Sequence, residues 1–399
     1  MCAAMAEVVL KGGHVQPVWA GHPWVFPQGI EQIRGKVSHG DEVVVVDAEG
    51  HALGHGFYAQ RSAIAVRLFS SAEEGTFDRA LVVRRLRAAI ELRRALGLPA
   101  QGADFTDGYR LIHGEGDGLP GLIVDRYGSH LVLQFGTAGM ARRQDDIVAA
   151  LREVVAPEGI LDRTSARVAE GEGFTPPGGV LWGSLPERIR FRERGLHFDL
   201  PLALGQKTGF YFDQRPLRAR VESASRGRRV LDAYSYVGAI GLGAARGGAS
   251  HVTSVDSSAP ALEVLAALAE QNGVRALGHK ADAVEFMVAH PDAFDLVVAD
   301  PPKLSPGRAA RDRALRAFRR IAAAAAGATA PGGLLALSSC SQAIGLAEVE
   351  RALALGAKDA KKRVVVVERI FQGADHPVPP AFPQGLYLST VLAHVESGR

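Results

Sequence analysis

Thiols are scarce in this chain. Two cysteines among 399 residues cannot build a disulfide framework, and nothing in their surroundings suggests a zinc site. That usage fits a reducing cytoplasm. Long apolar runs are missing too. The opening stretch MCAAMAEVVLKGG has neither the charged start nor the apolar core of a signal peptide. The alanine-rich run at 322–326 is far too short to cross a membrane. The expectation is a soluble, cytoplasmic protein with no membrane partner. A large excess of one charge is also absent. The net charge of +3 permits a nucleic-acid partner without establishing one.

What is present is ample apolar material. Hydrophobic residues make up 47% of a chain long enough for two or three domains, so a substantial core can be buried. Residues 8–70 read as short strands punctuated by glycine. In DEVVVVDAEGHALGHGFY two apolar runs flank a turn at Glu49-Gly50, a hairpin signature, and IAVRLFS adds a strand. From Phe77 to Leu98, Leu81, Val82, Leu86, Ile90 and Leu96 recur at helical spacing and Gly97 closes the run. GEGDGLPGLIVDRYGSHLVLQF then reads as loop, strand, turn, strand, and a helix is expected over about 140–153. EGEGFTPPGG reads as a loop. These signals predict a small β domain over 1–75, a central α/β domain over 76–190 and a third domain over 191–399.

In the third domain RRVLDAYSY, HVTSVDSS, FDLVVADPP and GGLLALSSC each join an apolar run to a polar or turn-forming end, with helical patterns between them. SSAPALEVLAALAEQNG is the clearest helix, with serines near its cap, Pro260 early and Gly273 as its stop. Alternating strands and helices argue for an α/β, Rossmann-like parallel sheet that binds ligands beyond its carboxyl ends. The informative residues cluster at those ends. Asp232, Tyr234 and Gly238 follow the first strand, and glycine there lets a ligand approach the backbone. The glycines do not form GxGxxG, which argues against a dinucleotide. Asp256, 24 residues after Asp232, can accept both hydrogen bonds of a ribose diol or cap a helix. Asp282 ends the third strand. Three acids at successive strand ends would repel a pyrophosphate and suit a cationic nucleoside such as S-adenosylmethionine.

Asp300-Pro301-Pro302-Lys303 follows the fourth strand and Ser338-Ser339-Cys340-Ser341 the fifth. Such loops lie side by side in a doubly wound sheet, so Cys340 is expected to face Asp300. A DPP triplet there marks methyltransferases acting on planar, nitrogen-bearing groups of bases; the other reading is a rigid turn. A thiolate suits addition to carbon 6 of a pyrimidine, which makes carbon 5 nucleophilic. Asp300 can bond the cytosine edge, and Lys303 with nearby arginines can lower the thiol pKa. The stretch Gly307–Arg320 carries six arginines and one acid, either a solvated helix face or a phosphate-binding surface that includes Arg308.

Six segments in order then carry a family resemblance: GHPWVF (21–26), YRLIHGEGDGLPGLIVDRYG (109–128), LGQKTGFYFDQRPLR (204–218), FDLVVADPPK, SSCS and ADHPVPPAFPQGLYL (374–388). The chain resembles the ribosomal RNA large subunit methyltransferase I family over nearly its whole length. The resemblance implies a PUA RNA-binding domain, a central α/β domain and a Rossmann-like S-adenosylmethionine domain. It further implies methylation of a cytosine carbon 5 in 23S rRNA, with Cys340 catalytic and often a homodimer. Lys207 and Asp213 to Arg215 would lie near cofactor and substrate. Arg215, Pro301, Pro302 and Arg308 are candidate substrate contacts. Two positions depart from the family pattern: Leu217 replaces a polar residue before Arg218, and Ala239 stands where a second glycine is usual. Two other readings stay open, methylation of a guanine nitrogen in RNA, which needs no thiol, and a non-catalytic RNA-binding assembly factor.

Overall fold

The valine-rich arm of the expected hairpin becomes an interior strand. In the computed structural model, which describes residues 5–60, 62–204, 208–303, 311–341 and 344–398, six strands form the first sheet. They are β1 (Ala6–Leu10), β2 (Trp24–Val25), β3 (Ile30–Arg34), β4 (Glu42–Val46), β5 (Ala52–Tyr58) and β6 (Val66–Ser71), in the order β2-β6-β5-β4-β1-β3. The β4–β5 turn closes as the sequence suggests, with Asp47 N donating to His51 O and Gly50 at φ 93°, a conformation glycine adopts without strain.

The second sheet has the order β11-β10-β9-β8-β7, built from β7 (Gly108–His113), β8 (Leu122–Tyr127), β9 (His130–Phe135), β10 (Gly159–Asp162) and β11 (Gly179–Gly183). The helices Arg79–Ala95 and Gln144–Val155 share its apolar core, with Leu81, Leu86, Leu133 and Ile147 all buried. Asp78 starts the first helix by accepting from Leu81 N at 2.6 Å, and Gly97 at φ 76° ends it. The segment expected as one helix near 140–153 is two, because Thr137 caps a short Ala138–Ala141 turn before Gln144–Val155 begins.

The chain divides into two compact units. Met1–Gly195, Leu200–Phe210 and Ala374–Gly385 form the first, so both sheets above belong to one unit. Leu196–Asp199, Tyr211–Gly373 and Leu386–Arg399 form the second. In the chain β12 (Arg188–Glu193) and β13 (Leu196–Pro201) come next as a two-stranded hairpin, and the second unit's sheet comprises β14 (Arg229–Ala233), β15 (His251–Asp256), β16 (Leu277–Lys280), β17 (Phe294–Ala299), β18 (Thr329–Ser339), β19 (Lys362–Phe371) and β20 (Ser389–Ser397). The order is β16-β15-β14-β17-β18-β20-β19. The first five strands are parallel, while β20 runs antiparallel between β18 and β19. No helix crosses over between β19 and β20, so the last strand returns reversed rather than extending the parallel set.

The alanine run serves helix packing. Ala322, Ala324, Ala325 and Ala326 are buried in the helix Arg311–Ala328, and a Cβ added at Gly356 of the helix Leu346–Asp359 would lie 2.6 Å from Ala323 N. Small side chains let these two helices approach closely over the sheet. Among the described residues no helix is long and apolar enough to cross a membrane.

Candidate active site

Strand register brings the informative residues to one edge of the second unit's sheet. Ala233 of β14 pairs with Val255 of β15 and Ala299 of β17, and Ala299 pairs with Leu337 of β18. The loops after these strands therefore emerge at the same carboxyl edge, with the order reversal between β14 and β17 at its centre.

On the β14 side the backbone is bent. Tyr234 and Tyr236 lie at φ 64° and 51°, and Gly238 at φ 74° starts the helix Ala239–Arg246. Left-handed conformations in two bulky residues so close together are costly and cluster at functional sites. Asp232 is fully buried and accepts from Gly241 N at 2.9 Å. Burial pushes its carboxyl up to about 7; the Gly241 amide opposes this, and Asp300 and Asp256 add to it. Asp256 does not cap the following helix, whose cap is Ser258. Both Asp256 oxygens instead accept backbone amides, from Ser258 N and Tyr236 N at 2.8 Å each, which fixes the carboxylate at the strand end. Asp282 lies past the end of β16 and caps the helix Ala283–Ala289 through Glu285 N. Tyr234 is its neighbour: burial first, then Asp282, pushes the phenol up to about 12. The hydroxyls of Ser235 and Ser254 are buried without a hydrogen-bond partner among the described residues.

On the β17–β18 side Asp300 accepts from Gln214 Nε2 at 2.8 Å. Pro301 is buried, whereas Pro302 and Lys303 are exposed. Cys340 is partly buried just past β18. Its serines fasten the loop: Ser338 Oγ pairs with Thr390 Oγ1 at 2.7 Å, and Ser339 Oγ donates to Ile344 O at 2.9 Å. Tyr211 feels the charge of both loops. Burial raises its phenol above the ordinary range, and Tyr236, Asp213, Asp300 and Cys340 push the same way, in that order. The Tyr211 and Tyr236 rings meet edge to face at 5.8 Å.

Arg215 begins the helix Arg215–Ala224 with its guanidinium 5.8 Å from the Phe212 ring centre. Leu217, the apolar departure from the family pattern, is wholly buried with Val221 and Val230, so it serves the core. Lys207 and Arg308 lie outside the described residues. Of the arginine-rich stretch, Arg311 pairs with Glu348 and Arg319 with Asp359, both at the neighbouring helix. Arg313, Arg316 and Arg320 are exposed and pair with no acid among the described residues. Three residues that sequence reasoning did not single out join the site: Tyr211, Tyr236 and Tyr387, whose hydroxyl donates to Asp213 Oδ2 at 2.6 Å. Tyr211 stands in the same GFYFDQR segment as Gln214; no local pattern ties Tyr387 to Asp213.

Comparison with known proteins fits this geometry. A PUA-like domain family model matches residues 8–71, and a model described as S-adenosylmethionine-dependent methyltransferase matches residues 177–385. Proteins named ribosomal RNA large subunit methyltransferase I from Pseudoalteromonas translucida and Photobacterium profundum are each 35% identical, over 98% of this chain and 99% of theirs. A solved structure from Streptococcus mutans, described as a candidate methyltransferase of this cofactor class, aligns at TM-score 0.81 and 19% identity over 98% of this chain and all of its own. A related methyltransferase complexed with SAH gives 0.83 and 18% over the same share of this chain. At such identities these likenesses establish the fold alone. S-adenosylmethionine is the cofactor that the matched domain uses. The N-terminal sheet is thus a PUA-like domain, the C-terminal sheet a methyltransferase domain, and the chain belongs to the ribosomal RNA large subunit methyltransferase I family.

Proposed function

We propose that this protein methylates carbon 5 of a cytosine in 23S rRNA, using Cys340 as a transient nucleophile. The observation that carries the reading is the position of Cys340 just past β18, with Asp300 just past its neighbour β17.

The residues at the β14 edge fit the cofactor. Asp232 and Asp256 offer carboxylates to an ammonium and a ribose, Gly238 opens the backbone, and orphaned Ser235 and Ser254 hydroxyls remain to be satisfied. Tyr234, Asp282, Asp300 and Lys207 complete the proposed cofactor set. S-adenosylmethionine bound there supplies an electrophilic methyl group.

The thiolate of Cys340 adds to carbon 6 of the target base, and the ring electrons shift so that carbon 5 becomes electron-rich while N3 takes a proton from water. Asp300 bonds the base edge and steadies that proton. After carbon 5 is methylated, a water molecule acting as base takes its proton, the freed pair re-forms the carbon 5–carbon 6 double bond and expels the thiolate, and N3 returns its proton to water. Lys303 is the cation assigned to hold the thiol ionised, and Arg215, Pro302 and Arg308 to contact RNA. The base leaves its stack to be attacked, because carbon 6 is otherwise shielded. The names of the relatives, which specify ribosomal RNA of the large subunit, support the substrate class.

The test uses wild type and Cys340→Ala with labelled S-adenosylmethionine and unmodified 23S rRNA, the labelled nucleoside being identified by mass spectrometry. The expected result is 5-methylcytidine with wild type and none with the variant. Label in a methylguanosine, or undiminished activity in the variant, would overturn the reading.

A further inference from the structure

Gln214 ends the short turn Phe212–Gln214 and is almost wholly buried. Its side chain reaches Asp300, with Nε2 donating to Oδ2 at 2.8 Å. An ionised carboxylate has only acceptors to offer, so the amide must present its nitrogen there. That choice turns Oε1 to the other side of the same planar group, where it can only accept. No donor pairs with Gln214 Oε1 among the described residues. The amide therefore orients the carboxylate and exposes a second acceptor beside it.

Such an edge distinguishes the two pyrimidines. Cytosine carries an exocyclic amine at carbon 4, with two N–H donors; uracil carries a carbonyl oxygen there. An amine facing two acceptors is satisfied, and a carbonyl facing them is repelled and leaves buried acceptors unpaired. We propose that Gln214 is the residue that selects cytosine over uracil, by accepting from the amine at carbon 4 and by holding the Asp300 carboxylate beside it. This assignment rests on the cytosine-5 reading and adds to it the residue that reads the base.

The experiment compares two RNAs that differ only in whether the methylated cytosine, located by mass spectrometry, is replaced by uridine. The full-length protein and its Gln214→Ala and Gln214→Glu variants are assayed for kcat/KM on each RNA across pH. For Gln214→Ala the cytosine value should fall about 10- to 100-fold while the uridine value holds, so the ratio collapses. A protonated glutamic acid repeats the amide pattern, one donor for Asp300 and one carbonyl acceptor. Gln214→Glu should therefore match the wild-type ratio at acid pH and lose it as pH rises, a pH dependence wild type lacks. A wild-type ratio in Gln214→Ala, or a pH-independent ratio in Gln214→Glu, overturns the inference while cytosine-5 methylation stands. Wild type that makes no 5-methylcytidine overturns both, and does so before any variant is made.

Discussion

Asp232 shows how one buried carboxyl ties stability to the site. Its folded pKa of about 7 lies above the value near 3.9 expected of an unfolded aspartate. A raised carboxyl contributes stability that is fully present below pH ~4 and lost as pH rises through about 7, in all roughly 4 kcal/mol. Asp232→Asn should remove this dependence. Urea unfolding without cofactor at pH 5 and pH 8 should show wild type losing about 2–3 kcal/mol more than the variant over that interval. Equal losses would mean that the carboxyl is solvated in solution. A cationic ligand would favour the ionised form and pull the carboxyl back down. The setting of Cys340 is decided at the same scale. The serines around it are fasteners, bonded to Thr390 and to the Ile344 carbonyl, and they hold the thiol at the strand end.

At the scale of elements, the start of the helix Ala239–Arg246 is tightly packed. A Cβ on Gly238 would lie 2.2 Å from Leu265 Cδ1 and 2.6 Å from its Cγ, at a φ of 74°. Strain and overpacking together predict that Gly238→Ala destabilises the protein by about 2–4 kcal/mol and weakens cofactor binding with it. Denaturant midpoints and calorimetry check this; an unchanged midpoint would mean that Leu265 moves freely. The family-pattern departure next to it, Ala239, opens the helix with little exposure. Most elements were legible in the sequence because their signals are local. Ser258 caps a helix, Gly97 and Gly273 stop helices, and valine-rich runs make the strands. Asp256 does not cap because the helix starts at Ala259 with Ser258 as its cap; one Asp256 oxygen accepts the Ser258 amide, and the other accepts the Tyr236 amide from another strand's loop.

At the scale of the whole molecule, the connection between β19 and β20 leaves the second unit and folds into the first over Ala374–Gly385. There Asp375 and His376 are buried in a charged network. Arg93 pairs with Asp117 at 2.5 Å and donates to the Asp375 carbonyl at 2.7 Å, while Asp375 Oδ2 accepts from Arg110 N. His113 in the same network stays neutral, held well below its usual pKa by burial first and then by His376, Arg110 and Arg93. Phe382 packs on Trp24 at 4.6 Å between ring centres. Arg93→Ala would strand the Asp117 carboxylate, at a cost of about 3–5 kcal/mol. All three tryptophans, Trp19, Trp24 and Trp182, belong to the first unit, so their emission reports it selectively. The variant should lower the denaturant midpoint read by tryptophan emission, and an unshifted midpoint would show that the network carries no net stability.

The two levels of determination divide along distance in the chain. Periodicity, caps and turn glycines act over a few residues, and they determined the β-rich start, the α/β middle, the alternating methyltransferase strands and the placement of Asp232, Asp256, Asp300 and Cys340 at strand ends. Only the tertiary structure decided which far-separated groups meet: Gln214 with Asp300, 86 residues apart, Asp213 with Tyr387, 174 apart, and Arg93 with Asp375, 282 apart. The reversed β20 and the excursion of Ala374–Gly385 into the first unit belong to the same class. A strand's own pattern fixes which faces are apolar, but its direction and its neighbours follow from how all the apolar faces are buried at once.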